Sequence, residues 1–595
     1  MKRTLLLIGV AFLSVCGVAS AQFSTYVKAM SGDTAIIKDY NDMGGVANSL
    51  TNALNSDTGK TVPADRVYEL ETNGYYPLTS NPTTAARGVV IVGQSTTPIV
   101  SSTNTASAAP PLICGSTISG AGSNTGGINW GGALTIKNCE MEPAVSDGSL
   151  GWAFLGAAAA NCRVVLDNDM FEHTRWIEAN SNGYNGCALY ISDCYFVNLS
   201  GQGCRRNGGV YDNVDHYTDT IWVENSTHVM TEGSMYKFRQ FPIKHLFFNH
   251  NTFVNCAGSI FESLGYESNL TVTNNIFVNS NVQPTCDSIL VWDTGETDPG
   301  LLPTGLVNCA PLPDTVTATD RKILVDRNVV YWDPKFNNLD SILIANKAEG
   351  SIKWVSQMIT MNTRTQAMFD SSTAYPYLDE GTWYKELPTF VNPQNLLSAE
   401  VDSIKAYCIS TLSQGNNGGA ILSDWRVSSL EPSGNTSHYI YSDWPIPLDL
   451  SYTNSDLLAG GTLGEPVGDL NWFPTQKAAL NWTKEHAALE TMLENGTLVS
   501  VKSHGTVPGS FALSQNYPNP FNPSTVINFT IPEAGNVTLK VYNVLGQEVA
   551  TLMDGFKAAQ TYQVKFDGSN LSTGVYFYTL KTGDQSITKK MLLLK

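Results

Sequence analysis

The chain is poor in charge, and poorest in positive charge. Asp, Glu, Lys and Arg make up 15% of its 595 residues, with 35 Lys and Arg against 53 Asp and Glu and a formal net charge of −18. That balance excludes nucleic acid and an anionic membrane surface as natural partners, and it favours solubility. Cysteine is sparse too: the 11 present are far below the density of a disulfide scaffold, so any bridges are staples and not the frame. There is no zinc-ligand signature and no serine-elbow motif. The glycine-rich stretch "GAGSNTGG" lacks the Lys-Ser/Thr that would make it a phosphate loop.

Gly, Ser, Thr and Asn are plentiful, as in all-β extracellular proteins with many turns. At the N-terminus Lys2 and Arg3 precede the apolar run "TLLLIGVAFLSVCGV", which ends in Ala19-Ser20-Ala21. This reads as a signal peptide over 1–21, too short for a permanent anchor, and it sends the chain to the periplasm. Removing Cys16 with it leaves an even ten cysteines in an oxidising compartment.

The centre of the chain is repetitive. Seven segments share one register: "LTIKNCEM", "VVLDNDMF", "LYISDCYF", "IWVENSTHV", "LFFNHNTF", "LTVTNNIF" and "ILVDRNVV". The first inward column is Leu134, Val164, Leu189, Ile221, Leu246, Leu270 and Ile323. The second is Ile136, Leu166, Ile191, Val223, Phe248, Val272 and Val325. A turn column follows, Cys139, Asp169, Cys194, Ser226, Asn251, Asn275 and Asn328. Two residues on come Met141, Phe171, Phe196, His228, Phe253, Phe277 and Val330, where only His228 breaks the apolar run. A spacing of roughly 24 to 32 residues, with one interval about twice as long, is the period of a solenoid. Short strands and small polar corners select a right-handed parallel β-helix. Asn251 and Asn275 would begin an internal amide ladder, and the long interval is either a degenerate coil or a loop insertion. In this register Cys162 and Cys187 share a column in adjacent coils, about 4.8 Å apart at the backbone. They form either a disulfide or a pair of stacked thiols. "DRVYELETNGYYPL" and "RGVVIVGQ" resemble the opening turns of the pectin-lyase-like superfamily.

Beyond the repeats, "SIKWVSQMITMNTRTQAMF" and "TQKAALNWTKEHAALETMLENG" have helical periodicity. They are expected to pack on the solenoid or to cap its open end, where a bare coil would invite edge pairing. "VKSHGTVPGS" reads as linker.

The C-terminal stretch opens with "QNYPNPFNPST", whose prolines forbid a helix or a central strand. Alternating runs follow: Val537, Leu539 and Val541 face one way, Gly546 closes a turn, and "TYQVKF", "GVYFYTL" and "SITKKMLLLK" continue the pattern. These residues resemble the type A C-terminal sorting domain of proteins exported by the bacterial type IX secretion system. The motif positions are Asn516, Pro518, Asn519, Pro520, Asn522, Pro523, Gly546 and Gly574; "FKAAQTY" departs from the family, which usually has a glycine near Gln560. The resemblance implies an immunoglobulin-like β-sandwich recognised by the outer-membrane secretion machinery. It also implies a secreted or surface-attached product.

The expected fold class is therefore all-β. The expected boundaries are a signal peptide at 1–21, the β-helix at 22–338, a β-helix end and capping segment with helices at 339–500, a linker at 501–512, and the sorting domain at 513–595.

Chemistry is harder to read. A β-helix lyase needs a base and a cation beside the sugar carboxylate, commonly Lys or Arg with carboxylate-bound calcium. The richest region supplies Arg205, Arg206, Asp212, Asp215, His216, Asp219, Lys237, Arg239 and Lys244. Arg205, Lys237 and Arg239 are the catalytic candidates, and Asp212 and Asp215 the calcium candidates. No complete lyase motif joins them, and no other cofactor is implied. The outward position between the two inward columns carries Tyr190, Trp222 and Phe247. This aromatic strip either stacks on sugar rings or is covered by the helices. Two classes stay open: a noncatalytic extracellular β-helix that binds glycan, adheres or builds the surface layer, and a polysaccharide lyase or hydrolase on the same scaffold.

Overall fold

A computed structural model describes residues 22–57, 62–63, 66–84, 87–105, 108–115, 127–143, 153–172, 178–199, 209–239, 241–286, 304–345, 354–413, 425, 427–428, 441–442, 444–495, 501–504, 511–516, 518–531, 535–557, 560–583 and 585–595. The signal-peptide reading and Arg205 lie outside the described residues.

Three sheets of twelve, ten and seven strands form the body. Successive coils give one strand to each, as Cys187–Ser192, Tyr195–Val197 and Tyr211–Asp212 do in one turn. Neighbouring coils pair in parallel, which makes the body a parallel β-helix. The first inward column stacks residue on residue from Leu134 to Ile323, and the second from Ile136 to Val325. Parallel pairing with no slip at these positions is what two wholly apolar columns dictate, since a one-residue shift would turn every inward side chain to solvent.

Where the first strand of a coil bends into the second, one residue adopts a left-handed conformation. These corner residues are Asn138, Asn168, Asp193, Asn225, His250, Asn274 and Arg327, with φ between 54 and 57°. Asn and Asp tolerate this region because their short polar side chains bond locally. The next residue starts the ladder: Asn251 Nδ2 donates to Asn275 Oδ1 at 3.0 Å, and Asn275 Nδ2 to Asn328 Oδ1 at 3.0 Å. Inside the second sheet Phe171, Phe196, His228, Phe253 and Phe277 form a column of stacked rings with centroids 4.7, 4.5, 4.4 and 5.2 Å apart.

Glu267–Thr273 pairs directly with Lys322–Asp326, and Ile276–Val278 with Asn328–Tyr331, so the long interval in the repeat is a loop insertion. Leu378–Glu380 and Trp383–Tyr384 then join the two large sheets beyond residue 338. Cys162 and Cys187 share a column next to the Arg163–Ala188 pair, and their thiols touch with Sγ atoms 3.2 Å apart.

The ends and one flank of the solenoid are covered. Leu50, Ala53 and Leu54 of helix Ser49–Ser56 close the interior core at the first coils, and Met368 and Phe369 of helix Thr363–Phe369 join it beside Leu378. The outer face of the ten-stranded sheet presents Val197, Val229, Val254, Val278 and Val329. Helices Leu339–Ala345 and Ala399–Ser413 and strand Asp449–Tyr452 pack on it. Helix Trp482–Asn495 lies instead against the twelve-stranded sheet, with Leu489 buried.

The C-terminal region is a sandwich of two four-stranded antiparallel sheets. Val537, Leu539 and Val541 are buried in its core, and Gly546 turns with φ 77°. Val501–His504, inside the stretch read as linker, adds an edge strand to Gln560–Asp567. The Asn-Pro segment laces the sandwich shut. Asn516 is buried, its Nδ2 donating to Pro518 O at 3.1 Å and Thr525 Oγ1 at 2.9 Å, and its backbone N–H donates to the Tyr578 hydroxyl at 2.8 Å. Asn519 Oδ1 accepts from Leu592 N at 2.9 Å, while Phe521 is buried and bonded to the last strand. The prolines bring no N–H donors and keep the run out of a ladder of its own, so the Phe521 backbone bonds across to the terminal strand. Pro518, Pro520, Asn522 and Pro523 are exposed, and a Cβ on Gly574 would meet only Ser572 O at 3.9 Å, so packing within the domain does not account for these positions.

Candidate functional site

The outward residues of the first sheet make a continuous strip. Tyr190 pairs with Trp222, Trp222 with Phe247 and Phe247 with Thr271 across successive parallel strands. Strand spacing places these side chains one above the other. The Trp222 and Phe247 rings stack with centroids 3.7 Å apart and planes 18° from parallel. At one end of the strip the Arg163 guanidinium sits 4.3 Å from the Tyr190 centroid, a cation–π contact.

Helix Trp482–Asn495 crosses this strip without sealing it. His486 meets both rings edge-on, at 5.2 Å from Trp222 and 5.7 Å from Phe247. Between helix and sheet remains a cleft of about 380 Å³, within the usual range for small-ligand sites. Trp222 and Phe247 form its floor and Leu493 an apolar wall, while Glu490, His245 and Asn269 supply polar groups. His486, Glu490 and Leu493 line one face of the helix at spacings of four and three, the neighbour positions of an α-helix.

Glu224 organises the cleft from below. Its Oε1 accepts from His486 Nε2 at 2.8 Å and from Asn249 Nδ2 at 2.9 Å, and its Oε2 accepts from Trp222 Nε1 at 3.4 Å. Burial works against a charge on His486, but the bond to Glu224 and the negative charges of Glu224 and Glu485 together outweigh it and the imidazole pKa is raised. The same carboxylate thus fixes the floor ring and the wall imidazole.

The basic and acidic candidates lie elsewhere. Lys237 is buried on the seven-stranded side, 3.3 Å from Glu262. Arg239 holds the Asp212 carboxylate through Nη2 at 2.7 Å and Nε at 3.0 Å, and Asp212 Oδ1 also takes Val214 N at 2.8 Å. Asp215 accepts from Gly183 N at 2.9 Å and contacts His216 at 2.6 Å, while Lys244 pairs with Asp219 at 3.0 Å. Lys237, Arg239, Asp212 and Asp215 are therefore held in ion pairs or local bonds, and none of them lines the cleft.

The sequence reading missed Glu224, His245, Asn269, His486 and Glu490. The helical spacing of His486, Glu490 and Leu493 was a signal in the sequence, but the strands they face lie more than two hundred residues earlier in the chain.

Behind the cleft is a second polar cluster. His250, Glu465 and Glu485 are buried, with His250 Nε2 at 2.9 Å from Glu485 Oε1 and 3.4 Å from Glu465 Oε1. Burial opposes a charge on His250, yet the two carboxylates push its pKa up to about 10.

Residues 515–594 match the family described as secretion system C-terminal sorting domain. No curated protein and no solved structure matches the chain. The C-terminal sandwich is a type IX secretion sorting domain of type A, and it marks the chain for export through that machinery to the cell surface or beyond. Among the described residues no helix is long and apolar enough to cross a membrane.

Proposed function

We propose that the exported β-helix is a noncatalytic saccharide-binding protein that grips its ligand in the cleft between the twelve-stranded sheet and helix Trp482–Asn495. The observation that carries this reading is the stacked Trp222–Phe247 face flooring an open cleft with polar groups at its edge. Aromatic faces offer flat apolar area to the C–H faces of a sugar ring. Hydrogen bonds from groups such as Asn269 and Glu490 would select among its hydroxyls. Tyr190, stiffened by Arg163, extends the platform by one coil and suits a chain of sugars better than a single one.

Two facts favour binding without chemistry. Lys237 and Arg239 are neutralised by Glu262 and Asp212, so neither is poised as a free base or cation. Asp212, the first calcium candidate, already has a guanidinium on its carboxylate. The test is to incubate the purified full chain with neutral and uronic-acid polysaccharides, with and without calcium, and follow both retention and new unsaturated ends by absorbance. Retention without products is expected. Calcium-dependent unsaturated products would replace this reading with a polysaccharide lyase.

A further inference from the structure

The cluster behind the cleft has more ligand atoms than its own hydrogen bonds use. His250 sits at a left-handed corner, φ 54°, and its ring is fully buried. Nδ1 is 3.1 Å from Gly468 O, a carbonyl that only accepts, so Nδ1 carries the hydrogen and Nε2 is the atom turned to the carboxylates. Glu465 is fixed through Oε2, which accepts from Leu463 N at 2.9 Å, and its Oε1 has only a long ion pair, 3.4 Å from His250 Nε2. Glu485 is fixed through Oε1 by Asn274 Nδ2 at 3.0 Å, and its Oε2 is buried without any partner. One ligand atom from each of the three residues lies within 4.8 Å of the others.

One buried carboxylate oxygen with no partner and a second held only by a long ion pair are an expense that native interiors rarely tolerate. With a proton on Nε2 the trio still carries one formal net negative charge in a buried place. A divalent cation replacing that proton brings the trio to neutrality and gives Glu465 Oε1 a short bond in place of a long ion pair. One imidazole with two carboxylates is a donor set for zinc, whereas calcium and magnesium favour oxygen throughout. The outer partners have the form metal sites use: a carbonyl on the far imidazole N–H, an amide on one carboxylate and a backbone N–H on the other.

We propose that His250, Glu465 and Glu485 bind a zinc ion that pins helix Trp482–Asn495 and the 461–468 loop to the solenoid. The site is closed, so its role is to hold the wall of the cleft in place. It stands whether or not a saccharide binds in front of it. A neighbouring trio, Glu224, Glu485 and His486, shares Glu485 but faces the cleft, and Glu224 and His486 there already satisfy each other at 2.8 Å.

The test uses the full chain, stripped with a chelator and titrated with zinc chloride, with metal counted by mass spectrometry after desalting. The expected result is one zinc per chain and a raised melting temperature. Glu465→Gln should weaken binding at least about tenfold with an unchanged circular dichroism spectrum, and Glu224→Gln should keep it. X-ray absorption on the zinc-loaded wild type should show nitrogen and oxygen neighbours at about 2.0–2.2 Å, which keeps the test intact should the variant fail to fold. No retained zinc, sulfur neighbours, unchanged affinity in Glu465→Gln, or loss in Glu224→Gln would each overturn the proposal.

Discussion

His228 is the one titratable ring in a column of phenylalanines, and the structure gives its replacement a defined pH signature. The imidazole is clamped between Phe196 at 4.5 Å and Phe253 at 4.4 Å; its Nε2 is 3.1 Å from the Tyr236 hydroxyl and its Nδ1 has no hydrogen-bond partner. Burial alone pushes its pKa from 6.5 down to about 3. The unfolded chain therefore takes up a proton that the folded chain refuses. The linked stability is present above about pH 6.5 and is lost as the pH falls towards 3. At about pH 4 the loss amounts to roughly 3 kcal/mol.

His228→Phe removes this titration and keeps the stack. At neutral pH the substitution deletes an unsatisfied nitrogen but strands the Tyr236 hydroxyl, two effects of roughly 1–3 kcal/mol and opposite sign. The offset near pH 7 is thus small, and the slope is what tests the reasoning. Guanidinium unfolding of the full chain, followed at about pH 7 and about pH 4 for both proteins, should show the variant gaining roughly 3 kcal/mol on wild type between the two. Other buried acids such as Asp169 and Glu140 also titrate, but they are common to both chains and cancel. Parallel pH profiles would refute the reasoning.

Asn516→Ala removes donors to Pro518 O and Thr525 Oγ1 from a buried position, which should cost the sorting domain roughly 2 kcal/mol. Cell fractionation should then show the variant accumulating in the periplasm, and export equal to wild type would contradict the lacing role of the motif. Cys162 and Cys187, with Sγ atoms 3.2 Å apart, should close to a disulfide on mild oxidation, read as loss of two hydrogens by intact mass and abolished in Cys162→Ser. A thiol count unchanged after oxidation would leave them a stacked pair of buried thiols.

The solenoid was legible because its information is periodic. Two apolar columns and an amide column repeat at every coil, and parallel pairing without slip is the only arrangement that buries them all, so the partners of Leu189 or Asn275 follow from the register alone. The sorting domain was legible for a different reason, since its Asn-Pro segment and alternating runs resemble a known family; in the structure Asn516 and Asn519 bond within that segment and to its terminal strand. The coil at Leu378–Glu380 and Trp383–Tyr384 falls in the stretch expected to hold the β-helix end, but strands of two or three residues carry no alternation that would place them. The cleft escaped in part. Trp222 and Phe247 were visible as a strip, but Glu224–His486 and His250–Glu485 join residues more than two hundred positions apart, and nothing local in either segment names its partner.

The most direct measurement is a binding isotherm for a retained saccharide with wild type, Trp222→Ala and Phe241→Ala, the last removing an exposed aromatic away from the cleft. Loss of the floor ring should weaken binding by roughly 2 kcal/mol, about thirtyfold in Kd, while Phe241→Ala binds as wild type. Equal affinity in wild type and Trp222→Ala, or loss confined to Phe241→Ala, would contradict the assignment of the cleft as the saccharide site.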